Sequence, residues 1–281
     1  MFDRVLIVGL GLLGGSFALA LREASLATQI LGTDVNPDHE CEALALGLVS
    51  ALWERQNSAK PFDLIFVAVP PSQVASVLAG LSPWVHPATL VTDACSVKAP
   101  VASAMQAALG NHAGLLPAHP IAGWHTSGPS SGRRDLFAGR PVILTPLACT
   151  SPASRSLAAQ LWTALGAHIV EMEAGPHDAL LALISHLPHL LAYGTVNLAL
   201  DRDADLSLAG PGFRDATRLA QCPAGLWADI ALANHAALLP TLDAFIHELQ
   251  NLKEAIRSGN QGHLTQRLAR AQQARASLSD G

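Results

Sequence analysis

The chain has 281 residues, half of them hydrophobic and 14% charged, which is enough apolar material for a large core and too little charge for a disordered polymer. A net charge of −5 and a pI near 6.1 lack the basic footprint that nucleic acid demands, so no nucleic-acid partner is expected. Lysine occurs at three positions, Lys60, Lys98 and Lys253, so an anionic small-molecule substrate would have to be gripped by arginine.

The apolar run 4–8 reads as a buried strand rather than a targeting sequence. It enters Gly9-Leu10-Gly11-Leu12-Leu13-Gly14, and an apolar helix is expected over 16–23. A second strand, 29–33, ends at Asp34, and a helix is expected over 41–48. A third strand, 63–69, is stopped by Pro70-Pro71, a short helix covers 74–80, and a fourth strand covers 89–93. Further strands are expected at 114–117, 141–145 and 167–171, with a helix at 153–165. Strand and helix alternate throughout, the pattern of a doubly wound, Rossmann-type α/β sheet.

Beyond Gly175-Pro176 the apolar spacing is helical. We therefore expect two domains, a dinucleotide-binding Rossmann domain over 1–172 and an all-helical domain over 173–281. Residues 179–200 carry no formal charge, but His186, Pro188, His189, Tyr193 and Asn197 would be costly in lipid. An interior or interface helix is expected there, and no membrane partner. The loop 123–139 is rich in Gly, Ser and Arg and is long enough to cover a site. Cys41, Cys95, Cys149 and Cys222 are scattered without metal or redox spacing, as expected of reduced thiols in the cytoplasm.

Three groups of residues carry chemistry. Gly9-x-Gly11-x-x-Gly14 follows a strand and opens a helix, and Asp34 stands 20 residues after Gly14 at a strand end. Gly9 suits the tight turn, Gly11 the close approach of a pyrophosphate, and Gly14 helix–strand packing. Leu12 at the helix start and Val69 at the end of the third strand complete the cofactor set. Asp34 would accept from ribose hydroxyls and repel a 2′-phosphate, favouring NAD over NADP.

His119-Pro120 lies at a strand end, where the following proline keeps the histidine extended. A near-neutral imidazole there suits a general base. Ser96, in Asp93-Ala94-Cys95-Ser96-Val97-Lys98, could orient it, and Lys98 could contact phosphate or substrate. Arg214 and Arg218, spaced i,i+4 after Gly210-Pro211-Gly212, suit a carboxylate. His186 and His189 share a helical face, but no H-E-x-x-H or carboxylate cluster accompanies them, so no metal is expected.

Together these motifs resemble the prephenate/arogenate dehydrogenase family of tyrosine biosynthesis, in order and over nearly the whole chain. The resemblance rests on the glycine fingerprint, Asp93-x-x-Ser96-Val97-Lys98, His119-Pro120-x-Ala122-Gly123 with Ser127-Gly128, Ser185-His186-Leu187-Pro188-His189, and Gly212-Phe213-Arg214-Asp215-x-Thr217-Arg218. It implies NAD-dependent oxidative decarboxylation of prephenate to 4-hydroxyphenylpyruvate, or the same reaction on arogenate to give tyrosine.

His119 would take the ring-hydroxyl proton with support from Ser96. Arg218 would bind the ring carboxylate, with His189 in the substrate site and Arg214 nearby. A homodimer interlocked through the helical domain is implied as well. Trp124 and His125 replace the usual small hydroxyl and polar residues, and make Trp124 a candidate determinant of the substrate side chain. Two rivals fit less well. A β-hydroxyacid dehydrogenase would use a lysine on the interdomain helix, and none lies between Lys98 and Lys253. A non-catalytic NAD-sensing regulator would need none of His119, His189 and Arg218.

Overall fold

The computed structural model describes residues 2–54, 60–123 and 126–277. Its first sheet has the parallel order β3-β2-β1-β4-β5, formed by β1 (Phe2–Val8), β2 (Ala27–Thr33), β3 (Ala51–Leu52), β4 (Leu64–Val67) and β5 (Leu90–Asp93). All residues of β4 and β5 are buried, as expected for parallel strands covered on both faces. Val8 pairs with Val67, and Val67 with Asp93, so the carboxyl ends of β1, β4 and β5 finish side by side. Ligands of such sheets bind at that edge.

The connecting helices are α1 (Leu12–Glu23), α2 (Pro37–Ala45), α3 (Val74–Leu81) and α4 (Ala99–Leu109). Helix α2 starts four residues before the expected span, because Asn36 caps it by accepting from Asp38 N at 3.0 Å and Pro37 fits the first turn. One apolar cluster packs α1 on the sheet, with Phe17 stacked on Phe66 at 3.9 Å and Trp162 against both rings. A second cluster packs α3 and α4 on the opposite face.

A smaller sheet follows: β6 (Ala118–Pro120) is antiparallel to β7 (Pro141–Leu144), which is parallel to β8 (His168–Glu171); α5 (Pro152–Ala164) precedes β8. The strand expected at 114–117 is reduced to a single bridge, Leu115 to Val91, and His119 lies inside β6 opposite Ile143.

After β8 the described residues form helices: α6 (Ala174–Leu181), a π-helical turn (Ala182–His186), α7 (Leu187–Leu200), α8 (Pro211–Thr217) and α9 (Ala224–Ala233). The π turn sits just ahead of Pro188, whose missing N–H cannot complete the α-helical ladder. Helix Ala174–Leu200 is long and apolar enough to cross a membrane, with 28% of its apolar window buried. Leu183, Ile184, Leu198 and Leu200 are each more than half exposed, so it is not the interior helix of one chain.

The chain forms two compact units, Met1–His235 and Ala236–Gly281, so α6 to α9 fall in the same unit as the sheets. The physical reason is that α6 and α9 are tied to the sheet-bearing part: Asp178 accepts from Lys98 N and Ala99 N at the start of α4, and Asp229 from Ser72 N. The second unit consists of α10 (His235–Arg257), which begins at the boundary, and α11 (Gln261–Ala276), clasped by Arg267 on Glu248.

Candidate active site

The glycine turn is shaped for a large anionic ligand. Gly9 has φ +91°, and a Cβ on it would lie 2.3 Å from Ala68 O; a Cβ on Gly14 would lie 1.8 Å from Gly9 O. These two glycines let chain meet chain. At Gly11 a Cβ would meet nothing within 4 Å, so the backbone there faces open space. Helix α1 starts at Leu12 with no acidic residue in its first turn, leaving its N–H groups and dipole for an anion.

Asp34 completes this cradle. Its carboxylate accepts from Leu10 N at 2.7 Å and Asn36 N at 2.9 Å, and His39 Nδ1 stands 3.5 Å away. A carboxylate has about four lone-pair sites, so two backbone bonds leave capacity for ribose hydroxyls. Val69 borders the same turn, its Cγ1 3.2 Å from the Cβ position of Gly9. These residues fit a dinucleotide. The loop after Gly123 returns to this helix, where Arg133 N donates to Ser16 Oγ at 2.9 Å.

His119 is 7% exposed, and its Nδ1 lies 2.8 Å from His177 Nε2. His177 Nδ1 is in turn 2.7 Å from Asp178 Oδ1. Burial, followed by the charge of Lys98 and the neighbouring His177 and His186, holds the His119 imidazole well below its usual pKa, so its basic form persists in acid.

Ser96 was expected to orient His119, but among the described residues the bond at Nδ1 is made by His177. The clamp of Asp178 on α4 brings α6 to the sheet edge, and Ser96 stays half-buried in its turn. Lys98 is likewise no ligand contact. It is fully buried, donating to Asp93 Oδ2 at 2.5 Å and Ala118 O at 2.6 Å, while Asp93 accepts Ala118 N at 3.0 Å. That pair therefore fixes the strand carrying His119. Cys95 is buried too, and burial pushes its thiol pKa up, leaving it unreactive.

Asn234 links the helices behind this relay, its Nδ2 lying 2.9 Å from both Asp178 O and His186 Nδ1. The two histidines expected on one helical face part company there. His186 is buried, whereas His189 is half-buried, donates from Nδ1 to Ser185 O at 3.0 Å and stacks on Trp227 at 3.3 Å. Burial lowers the His189 pKa, and the nearby Arg218 charge adds to that.

Helix α8 ends at Thr217 and Arg218 opens a 3-10 turn, so Arg214 and Arg218 are not one turn apart on one α-helix. Both are exposed, and Arg214 Nε donates to Ala209 O at 3.1 Å. Trp124 and His125 lie outside the described residues. Sequence reasoning missed His177, Asp178, Trp227 and Asn234. The adjacent His177-Asp178 after Gly175-Pro176 was the available signal, a titratable pair opening an otherwise apolar helix.

A dinucleotide cradle and a buried histidine on the edge of β5 and β6, followed by helices, define a nucleotide-dependent oxidoreductase. The chain belongs to the prephenate dehydrogenase family: the model of its nucleotide-binding domain matches residues 17–171 and that of its dimerization domain residues 173–270. It is 35% identical to the cyclohexadienyl dehydrogenase of Zymomonas mobilis, over 99% of this chain and 97% of that one. Prephenate dehydrogenase from Aquifex aeolicus, solved with hydroxyphenyl propionate and NAD+, superposes with a TM-score of 0.93 at 29% identity, covering 99% of both chains. Synechocystis arogenate dehydrogenase gives a TM-score of 0.80 at 27% identity, over 97% of this chain and 99% of that one.

Proposed function

We propose that this enzyme oxidatively decarboxylates prephenate to 4-hydroxyphenylpyruvate with NAD, in tyrosine biosynthesis. The observation that carries this reading is the placement of His119, a buried and predominantly neutral imidazole beside the carboxyl edge where Gly9, Gly11, Leu12, Gly14, Asp34 and Val69 would hold NAD. NAD, when bound, supplies the acceptor for the hydride from the ring carbinol carbon.

His119 takes the hydroxyl proton on Nε2 as the carbonyl forms. The bond from ring to carboxylate then breaks, CO2 leaves, and its electron pair flows through the ring to the oxygen. His119 returns the proton to that phenolate oxygen, so the residue acts as base and then as acid with no net proton released. Aromatisation drives the step. Arg218 holds the ring carboxylate as an anion, which the loss of CO2 requires, with His189 and Arg214 at the substrate rim and Ser96 near the reacting hydroxyl.

A second substrate, arogenate, is favoured by the likeness to the Zymomonas cyclohexadienyl dehydrogenase and to Synechocystis arogenate dehydrogenase. We assign the choice of side chain to the segment containing Trp124. NADH absorbance measured with prephenate and with arogenate, each with NAD and NADP, tests the reading. We expect turnover with prephenate and NAD; no turnover in any of the four pairings would reject it.

We further propose a functional division at 172/173, a homodimer through the helical region, and action in the cytoplasm. The match to a dimerization domain and the exposed Leu183, Ile184, Leu198 and Leu200 support the dimer. Light scattering should give twice the 29.3 kDa chain mass. Four free cysteines accord with a reducing compartment.

A further inference from the structure

Resting on the assignment of His119 as base, we propose that His177 and Asp178 are positioning residues that hold His119 as its Nδ1–H tautomer and steady its cation while it carries the substrate proton. The hydrogen-bond directions follow from the far end of the chain. Asp178 Oδ1 accepts Lys98 N at 2.6 Å and its Oδ2 accepts Ala99 N at 2.8 Å, so the carboxylate serves as an acceptor throughout. His177, 2.7 Å from Oδ1 and fully buried, therefore carries its proton on Nδ1. A neutral His177 then has only a lone pair on Nε2, and at 2.8 Å it can bond His119 only by accepting from Nδ1–H. The lone pair of His119 is thus left on Nε2, the atom that must receive the hydroxyl proton.

The surroundings explain why such a relay is needed. The groups facing His119 are Lys98, His177 and His186; Lys98 is a cation paired with Asp93, and the two histidines would oppose a charge on His119 only if they were themselves protonated. Asp178 is the anion on the His177 side. Once His119 is protonated on Nε2, its Nδ1 proton can be shared with His177, whose own Nδ1–H leans on Asp178. The arrangement has the same logic as an aspartate-held histidine base, with one extra imidazole between acid and base. Asp178 also secures the start of α4, so His177 is the better residue to change.

The test pairs His177→Leu with His177→Gln, whose amide oxygen can still accept from His119 Nδ1–H but breaks the link to Asp178. We expect His177→Leu to lower kcat about 100-fold and His177→Gln to recover to within about tenfold of wild type. Prephenate KM and NAD affinity should stay within about twofold in both. In His177→Gln the acid limb of the kcat–pH profile should move to lower pH, because the His119 cation loses the support of Asp178.

Nitrogen-15 NMR of histidine-labelled, cofactor-free protein, with His119→Asn to assign the resonance, should show His119 protonated at Nδ1. A wild-type His119 protonated at Nε2, or equal kcat losses in both variants with an unmoved acid limb, would overturn the proposal. Undiminished turnover in His119→Asn would instead reject His119 as the base. Failure of the wild type to use either substrate would reject the reaction, and the NMR tautomer would still decide the relay.

Discussion

Substituting alanine at Gly14 and at Gly11 separates the two uses of glycine in the nucleotide turn. Gly14 lies in the first turns of α1, where alanine would ordinarily add about 1 kcal/mol of helix propensity. Here the new Cβ would sit 1.8 Å from Gly9 O, against an ordinary contact of 3.4 Å, so helix or turn must give by roughly 1.6 Å. The obstacle is backbone rather than a movable side chain. Overpacking of this kind costs about 1–3 kcal/mol, which less the propensity gain leaves a net loss of up to about 2 kcal/mol and, for a chain of this size, lowers Tm by up to roughly 8 °C.

Gly11→Ala meets no protein atom within 4 Å, and its cost without cofactor is that of a poorer helix cap, at most about 1 kcal/mol. Its Cβ would occupy the space assigned to the pyrophosphate, so NAD affinity should fall by about tenfold or more, roughly 1.4 kcal/mol. Calorimetric scans with and without NAD read both effects. A higher Tm for Gly14→Ala, or undiminished NAD affinity for Gly11→Ala, would refute the close-approach argument at that position.

Arg218→Gln should raise the prephenate KM by about 10–100-fold, the worth of a charged hydrogen bond, with NAD affinity unaltered; an unchanged KM would move the carboxylate grip to Arg214. Asp34→Ser removes the charge opposing a 2′-phosphate and one acceptor for the Leu10 and Asn36 amides. The NAD to NADP ratio of kcat/KM should fall by about tenfold or more, and a constant ratio would show that another group reads the ribose.

Burial pushes the His186 pKa down to about 4. The unfolded chain protonates this residue near 6.5 and the folded one near 4, so its stabilising contribution is intact above 6.5, is lost as pH falls between these values, and levels off below 4. The difference amounts to about 3 kcal/mol at an order-of-magnitude level. Urea unfolding at pH 7 and 4.5 should show a shallower acid loss in His186→Gln than in wild type, and equal losses would contradict this account.

Residues close in sequence were legible wherever a local rule acts on them. The glycine spacing, the buried runs of β1 and β4, and Asp34 at the end of β2 follow from turn geometry and two-sided burial, which depend on neighbours a few residues away. His119 stood out because it precedes a proline at a strand end. Its surroundings did not. His177 lies 58 positions further along, and Asp178 reaches back 80 positions to Lys98.

No periodicity encodes such partners. From the sequence Lys98 could be either a phosphate or substrate contact or a solvated lysine, since lysines usually face solvent; packing closed it against Asp93 and Ala118 instead. By itself the sequence determined the fold class and the family, and it singled out the histidine we propose as the base. Only the tertiary structure decided which nitrogen of that base is free, because a tautomer is set by whichever donor or acceptor the folded chain brings to the opposite side of the ring.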